Sequence, residues 1–159
     1  MSVTGRAQWR RVSDRGSEPP PSLSREMLLA HNEIRARMDL PALHWSDSLA
    51  AHAQEWANHL LGDGQFYHRP HPEFGENLFD IIGPHPHATA AQVVNDWASE
   101  APDYNYRANT CRAEMCGHYT QLVWRNTRSV GCAVARDSNR EVWVCNYDPP
   151  GNWIGERPY

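Results

Sequence analysis

Two β-rich apolar stretches, Ser129–Arg136 (SVGCAVAR) and Glu141–Tyr147 (EVWVCNY), flank the short polar connection Asp137-Ser138-Asn139-Arg140. No other feature of the chain constrains its fold as strongly. The pattern predicts a β-hairpin with a four-residue loop. If Arg136 faces Glu141, then Cys132 faces Cys145, and opposed Cβ atoms ~4.5–5.5 Å apart come close to disulfide geometry. Two buried free thiols are the alternative. Both faces of the hairpin are apolar, with Val130, Cys132, Val134, Trp143 and Cys145 on one and Ala133, Ala135, Val142 and Val144 on the other. A strand pair of this kind has to be covered on both sides.

Helical patterns upstream supply the cover. Ser22 and Ser24 are candidate caps for a first helix with Leu28, Ile34 and Met38 on one stripe, and Pro41 lies beyond its end. Ser46 is placed to cap a second, with Leu49, Ala53, Trp56, Ala57 and Leu60 on one face and Gly62 as its stop. A turn-rich stretch leads into Gly75–Phe79, which reads as the start of a strand. Thr89–Glu100, carrying Val93, Val94 and Trp97, reads as a third helix, and a short amphipathic segment spans Gly117–Trp124. The expected class is α+β, a three-layer α-β-α sandwich around a central antiparallel sheet.

One domain is expected from 159 residues. A net charge of −4 argues against a nucleic-acid partner, and no run of ~18 apolar residues offers a membrane span. Protonating all nine histidines would carry the charge from −4 to +5, so acid should change the surface strongly. Residues 1–21 hold four arginines and end in three prolines, without an apolar core of the secretory kind; they read as a disordered leader ahead of a domain at 22–159. The four cysteines, Cys111, Cys116, Cys132 and Cys145, include no CxxC pair, which disfavours a zinc ribbon. With Cys132 against Cys145, Cys111 and Cys116 would close a small local loop. Two disulfides point to an oxidising compartment and a secreted, extracellular protein.

Gly117–Asn126 (GHYTQLVWRN) closely resembles the first signature of the CAP superfamily, which unites cysteine-rich secretory proteins, antigen 5 allergens and pathogenesis-related class 1 proteins. Val142–Trp153 (VWVCNYDPPGNW) resembles its second signature, and His31-Asn32-x-x-Arg35 and Gly75-Glu76-Asn77-Leu78 resemble two upstream motifs in the expected order. The resemblance covers residues 24–159 and runs toward the plant pathogenesis-related branch and its microbial relatives. Where the family commonly has a His-Ser pair this chain has His68-Arg69, and Gly64 stands where plant members carry a further cysteine, whose partner near Arg136 is also missing.

The resemblance implies an α-β-α sandwich with a cleft of two histidines and two acids: His68, Glu76, Glu100 and His118, with His71 three residues beyond His68. As chemistry, this set suits zinc, with His68 and His118 as metal ligands and the two carboxylates orienting them or activating a water. Without metal, a Glu of raised pKa beside an ionised one would suit general acid work. The residues by themselves read equally as a structural hydrogen-bond network. Neither GxSxG nor HExxH occurs. His52, Glu55 and His59 read as a solvated helix face, and His85 and His87 as surface residues. Trp97, Tyr104 and Tyr106 are candidates for an apolar groove, where the family implies sterol or fatty-acid ligands.

The leading expectation is a secreted defence-type binding domain that requires no cofactor, with zinc as the metal its cleft would suit. The first alternative is a metal-dependent hydrolase using the four cleft residues. The second rests on Pro149–Tyr159, which resembles a plant precursor segment released by a processing protease, here after Asp148. A Pro/Gly-rich segment is accessible to a protease when extended; alternatively Trp153 and Ile154 pack it under the sheet.

Overall fold

In the computed structural model, which describes residues 22–159, Arg136 faces Glu141 and Cys132 faces Cys145, and the two sulfurs are bonded. Cys111 and Cys116 form the second disulfide. The hairpin strands are β5 (Ser129–Arg136) and β6 (Arg140–Asp148). Strand β2 (Gly75–Ile82) runs antiparallel to β6 on its other side. The two-residue strand β1 (His44–Trp45) pairs parallel with β5, so one short edge departs from the otherwise antiparallel sheet. A separate two-stranded ladder, β3 (Tyr104–Asn105) with β4 (Thr110–Cys111), lies beside the Cys111–Cys116 loop.

Both faces of the hairpin are covered. Ala133, Ala135, Val142 and Val144 pack with Leu78 against Ala53, Trp56, Ala57 and Leu60 of α2 (Asp47–Asp63). Val130, Cys132, Trp143, Cys145 and Tyr147 pack on the other side against α1 (Leu23–Arg37), α3 (Ala90–Ala98) and the short α4 (Gly117–Leu122). Side chains cap the first three helices: Ser22 accepts from Arg25 N, Ser46 from Leu49 N, and Thr89 with Gln92 forms a reciprocal box. The result is the α-β-α sandwich, with α2 alone on one side. Among the described residues no helix is long and apolar enough to cross a membrane. The leader expected at residues 1–21 lies outside the described residues.

Two local expectations need correction. Helix α2 continues through Gly62 and stops at Gly64, whose φ of 72° is the left-handed cap conformation that glycine tolerates best. In α1 the buried side chains are Met27, His31, Ile34 and Arg35, while Leu28 is half-buried and Met38 follows the last turn. The inward stripe contains two polar residues, so a pattern built from apolar residues alone was rotated away from it.

His31 shows how such a residue is tolerated in the core. Its Nδ1 lies 2.7 Å from the Met27 carbonyl oxygen, which only accepts, so Nδ1 carries the proton and Nε2 accepts from the Tyr147 hydroxyl at 2.9 Å. Asn77 Nδ2 donates to the same hydroxyl. Burial holds the His31 pKa down at about 4, against an ordinary 6.5. Because the unfolded chain takes up this proton more readily, the contribution of His31 to stability is complete above pH 6.5 and is lost as pH falls from 6.5 toward 4. The loss amounts to about 3 kcal/mol. Urea midpoints measured across that range should fall accordingly, and His31→Gln should flatten this part of the profile. An equal slope in both proteins would refute the assignment.

Candidate functional site

The two acids and two histidines expected in the cleft form two separate pairs. Glu76, the second residue of β2, is nearly buried; its Oε1 lies 2.7 Å from His68 Nδ1 and accepts from Arg69 N at 3.1 Å. Glu100 follows α3, and its Oε1 lies 2.6 Å from His118 Nδ1 while Oε2 accepts from Tyr119 N at 3.0 Å. Each carboxylate therefore spans an imidazole and the backbone N–H of the following residue. This common geometry explains why each His must stand immediately before a residue with a free N–H. His71 is exposed in a positive-φ conformation, and it is His68 that meets Glu76.

Pairing through Nδ1 fixes the ring orientation and leaves each Nε2 without a hydrogen bond among the described residues. Each free Nε2 has the chemistry of a zinc ligand, with Glu76 and Glu100 holding the rings, but no three of these four residues bring ligand atoms within 4.8 Å of one another. Bound zinc would supply Lewis acidity or a polarised water. Glu76 Oε2 is buried without a hydrogen-bond partner, an open acceptor at the same place. Among the described residues, the one trio of His, Cys, Asp or Glu with ligand atoms within 4.8 Å of one another is His31 with Cys132 and Cys145. Its two sulfurs are spent in a disulfide, so that trio is not a metal centre.

His68 and Glu76 also line a cavity of about 410 Å³, whose wall includes Pro72, Phe74, Gln121, Pro150 and Trp153. Four of these side chains are apolar rings, and the Asn152 amide also lines the cavity. Gln121 holds the far wall: its Oε1 accepts from Gly151 N at 3.0 Å, and its Nε2 donates to Thr127 Oγ1. Gly75 makes room for that side chain, since a Cβ there would collide with Gln121 Oε1 and approach Tyr147 Cβ within 3.2 Å. Sequence reasoning missed Gln121 and Asn77, although both lie inside quoted motifs. Asn77 Nδ2 donates to the His118 carbonyl at 3.1 Å and so ties β2 to α4.

The aromatic groove expected from Trp97, Tyr104 and Tyr106 is not assembled. Trp97 is wholly buried, with Nε1 donating to the Leu78 carbonyl at 2.9 Å and its ring beside His118. It anchors α3 to the sheet and has no surface to offer a ligand. Tyr104 is half-buried, and Tyr106 is exposed and stacked on Tyr159 with ring centroids 4.8 Å apart. On α2, Glu55 and His59 are exposed as expected, the His59 ring also stacking on Trp56 at 4.6 Å, whereas His52 is half-buried against Phe74 and Arg69.

The segment after Asp148 is neither free nor folded under the sheet. Pro158 is buried, its carbonyl accepts from Arg125 N at 2.7 Å, and Asn152 bonds both Thr120 and Gly117. Between these ties Trp153 and Ile154 face solvent.

The model of the CAP family, described as the cysteine-rich secretory protein family, matches residues 28–147. Pathogenesis-related leaf protein 4 of Solanum lycopersicum is 45% identical over 136 residues, covering 84% of this chain and 82% of that protein. Pathogenesis-related protein 1 of Arabidopsis thaliana is 43% identical over 131 residues, covering 82% and 78%. Among solved structures, Schistosoma mansoni venom allergen-like protein 4 aligns with a TM-score of 0.71 at 25% identity over 87% of this chain and 94% of that one. The ordered motifs and the sandwich agree with these likenesses, and the chain belongs to the CAP family, where its similar sequences are defence-related proteins of the pathogenesis-related type.

Proposed function

We propose that the chain is a secreted defence-type domain that captures a small apolar ligand carrying a polar end, of the sterol or fatty-acid class, in the cavity beside His68 and Glu76. The observation that carries this reading is the composition of that cavity: rings of Pro72, Phe74, Pro150 and Trp153 with the His68-Glu76 pair and the amides of Gln121 and Asn152, in a volume of about 410 Å³. Ligand sites typically combine an apolar lining with a few convergent polar groups, at volumes of roughly 300–1,000 Å³. The cavity thus replaces the Trp97–Tyr104–Tyr106 groove as the place for the ligand. Secretion is supported by the two disulfides. Zinc on His68 and His118 belongs to the same reading, as an ion beside the ligand.

Equilibrium binding of labelled sterol and fatty acid tests it. Saturable binding is expected, weakened about tenfold or more by Phe74→Ala with Trp153→Ala and unchanged by Tyr106→Ala. Absence of saturable binding, or equal binding by the double variant, would overturn it. Zinc titration followed through the imidazole nitrogen resonances should move Nε2 of His68 and His118 and leave His85 and His87 in place. Zinc-dependent turnover of ester or peptide substrates, lost in His118→Ala, would instead favour the hydrolase.

A further inference from the structure

A second cavity, of about 290 Å³, sits where the Pro41–His44 connection meets the loop between α4 and β5. Its wall includes His44, Arg125, Asn126, Thr127 and Arg128, and no Asp or Glu lines it. None of these residues lines the His68 cavity. The side chains of Arg125 and Arg128 make no hydrogen bond or ion pair among the described residues, and both residues are exposed. Two unpaired guanidiniums beside one cavity are notable in a chain whose net charge is −4.

The ground beneath this cavity is also positive. Arg35 is wholly buried and has no carboxylate partner. Its guanidinium donates to five carbonyls, and three of these belong to residues of the cavity wall: Pro41 at 2.8 Å, Arg125 at 3.4 Å and Thr127 at 3.4 Å. Burial, and then repulsion from Arg125, hold the Arg35 pKa down at about 10, below its ordinary value yet still charged at neutral pH. Carbonyl oxygens satisfy the donors of a guanidinium without cancelling its charge. A full charge in a low-dielectric setting acts over a longer range than a solvated one. The wall therefore presents two exposed cationic guanidiniums, with a third, that of Arg35, buried behind it, and the His44 ring and the Asn126 amide as further donors.

We propose that this cavity is an anion site for a tetrahedral oxyanion group, phosphate or sulfate, free or carried on a small molecule. Arg125 and Arg128 supply the planar fork that suits such groups, and Arg35 supplies fixed charge behind the wall. An oxyanion here would provide the counter-charge that Arg35 lacks within the protein.

Calorimetric titration of the whole chain at low ionic strength with inorganic phosphate, inorganic sulfate and glycerol 3-phosphate tests the proposal. Saturable binding is expected, weakened tenfold or more in Arg125→Ala/Arg128→Ala, unchanged in Arg107→Ala and in His68→Ala, and weaker at high salt. Arg125→Lys/Arg128→Lys should recover only part of the affinity. Tighter binding of glycerol 3-phosphate than of the free ions would assign the site to phosphate monoesters; the reverse order would assign it to the free ion. Both substituted side chains are exposed, so the urea midpoint should stay near that of the wild type. No saturable binding of any probe, or equal binding by the folded double alanine variant, would overturn the proposal.

Discussion

Gly131→Ala is expected to abolish the native fold or destabilise it by more than ~4 kcal/mol, a loss reserved for packing failures with no room to relax. Gly131 lies in β5, where the first turn of α2 rests on the sheet. A Cβ at this position would collide with Ala50 N, and would stand 2.5 Å from Ser46 O and 2.6 Å from the Leu49 carbonyl carbon. All three neighbours are backbone atoms, so no rotamer change relieves the clash. The approach is fixed from both ends. Ser46 N donates to the Val130 carbonyl at 2.9 Å, and Ala50 N closes the first helical turn on Ser46 O at 3.0 Å. Moving α2 outward would unpack Ala53, Trp56, Ala57 and Leu60 from the hairpin. Gly62→Ala provides the contrast, because nothing lies within 4 Å of its added Cβ and the residue is inside a helix. That change should stabilise by about 0.5–1 kcal/mol. Urea unfolding of both variants checks the pair, and a Gly131→Ala midpoint close to wild type would contradict the packing described.

Arg35→Ala should cost about 3–5 kcal/mol. The guanidinium ties α1 to the connection at Pro41 and to the segment 122–127. It donates through Nε to Pro41 O, through Nη1 to Leu122 O and Trp124 O at 3.0 and 2.8 Å, and through Nη2 to Arg125 O and Thr127 O. Alanine leaves these carbonyls without their donors and opens a void in the core. Arg35→Lys should recover only part of the loss, since an ammonium has three donors where the guanidinium fork has five. Denaturant unfolding with amide hydrogen exchange gives the readout, and protection should fall first in the 122–128 segment. Uniform loss across the chain, or a shift below ~1 kcal/mol, would count against this role.

Much of the sandwich was legible in the sequence because its central hairpin is apolar on both faces. Alternation sets the register, the short polar connection sets the pairing, and Cys132 against Cys145 follows from both. The α2 face was equally readable, since all five apolar positions marked from its spacing are buried. Helix α1 was misread for the opposite reason. Its inward face uses His31 and Arg35, whose burial is compensated by groups far away in sequence: the Tyr147 hydroxyl for His31, and carbonyls such as those of Leu122 and Thr127 for Arg35. Periodicity treats polar residues as outward, and only the distant partners reverse that.

The cleft divides in the same way. Motif resemblance brought His68, Glu76, Glu100 and His118 to attention, but pairing through Nδ1 with the next residue's N–H depends on where β2, α3 and α4 come together. Trp97 looked like a groove residue because an aromatic side chain on a helix reads the same whether it is outside or inside. Its indole N–H found the Leu78 carbonyl, and the ring went into the core.

What the sequence by itself determined was what local period and contiguous pattern govern: the hairpin register with Cys132 facing Cys145, the N-caps at Ser22 and Ser46, and the covering of the sheet on both faces. What only the tertiary structure decided were the positions whose environment is made by remote chain. These are the inward turn of His31 and Arg35, the ring-lined cavity beside Glu76, and the unpaired arginines around the second cavity. The reason is physical. Hydrophobic burial is set by a side chain's own composition and spacing, whereas the cost of burying a charge or a polar group depends on the partners that the fold brings to it.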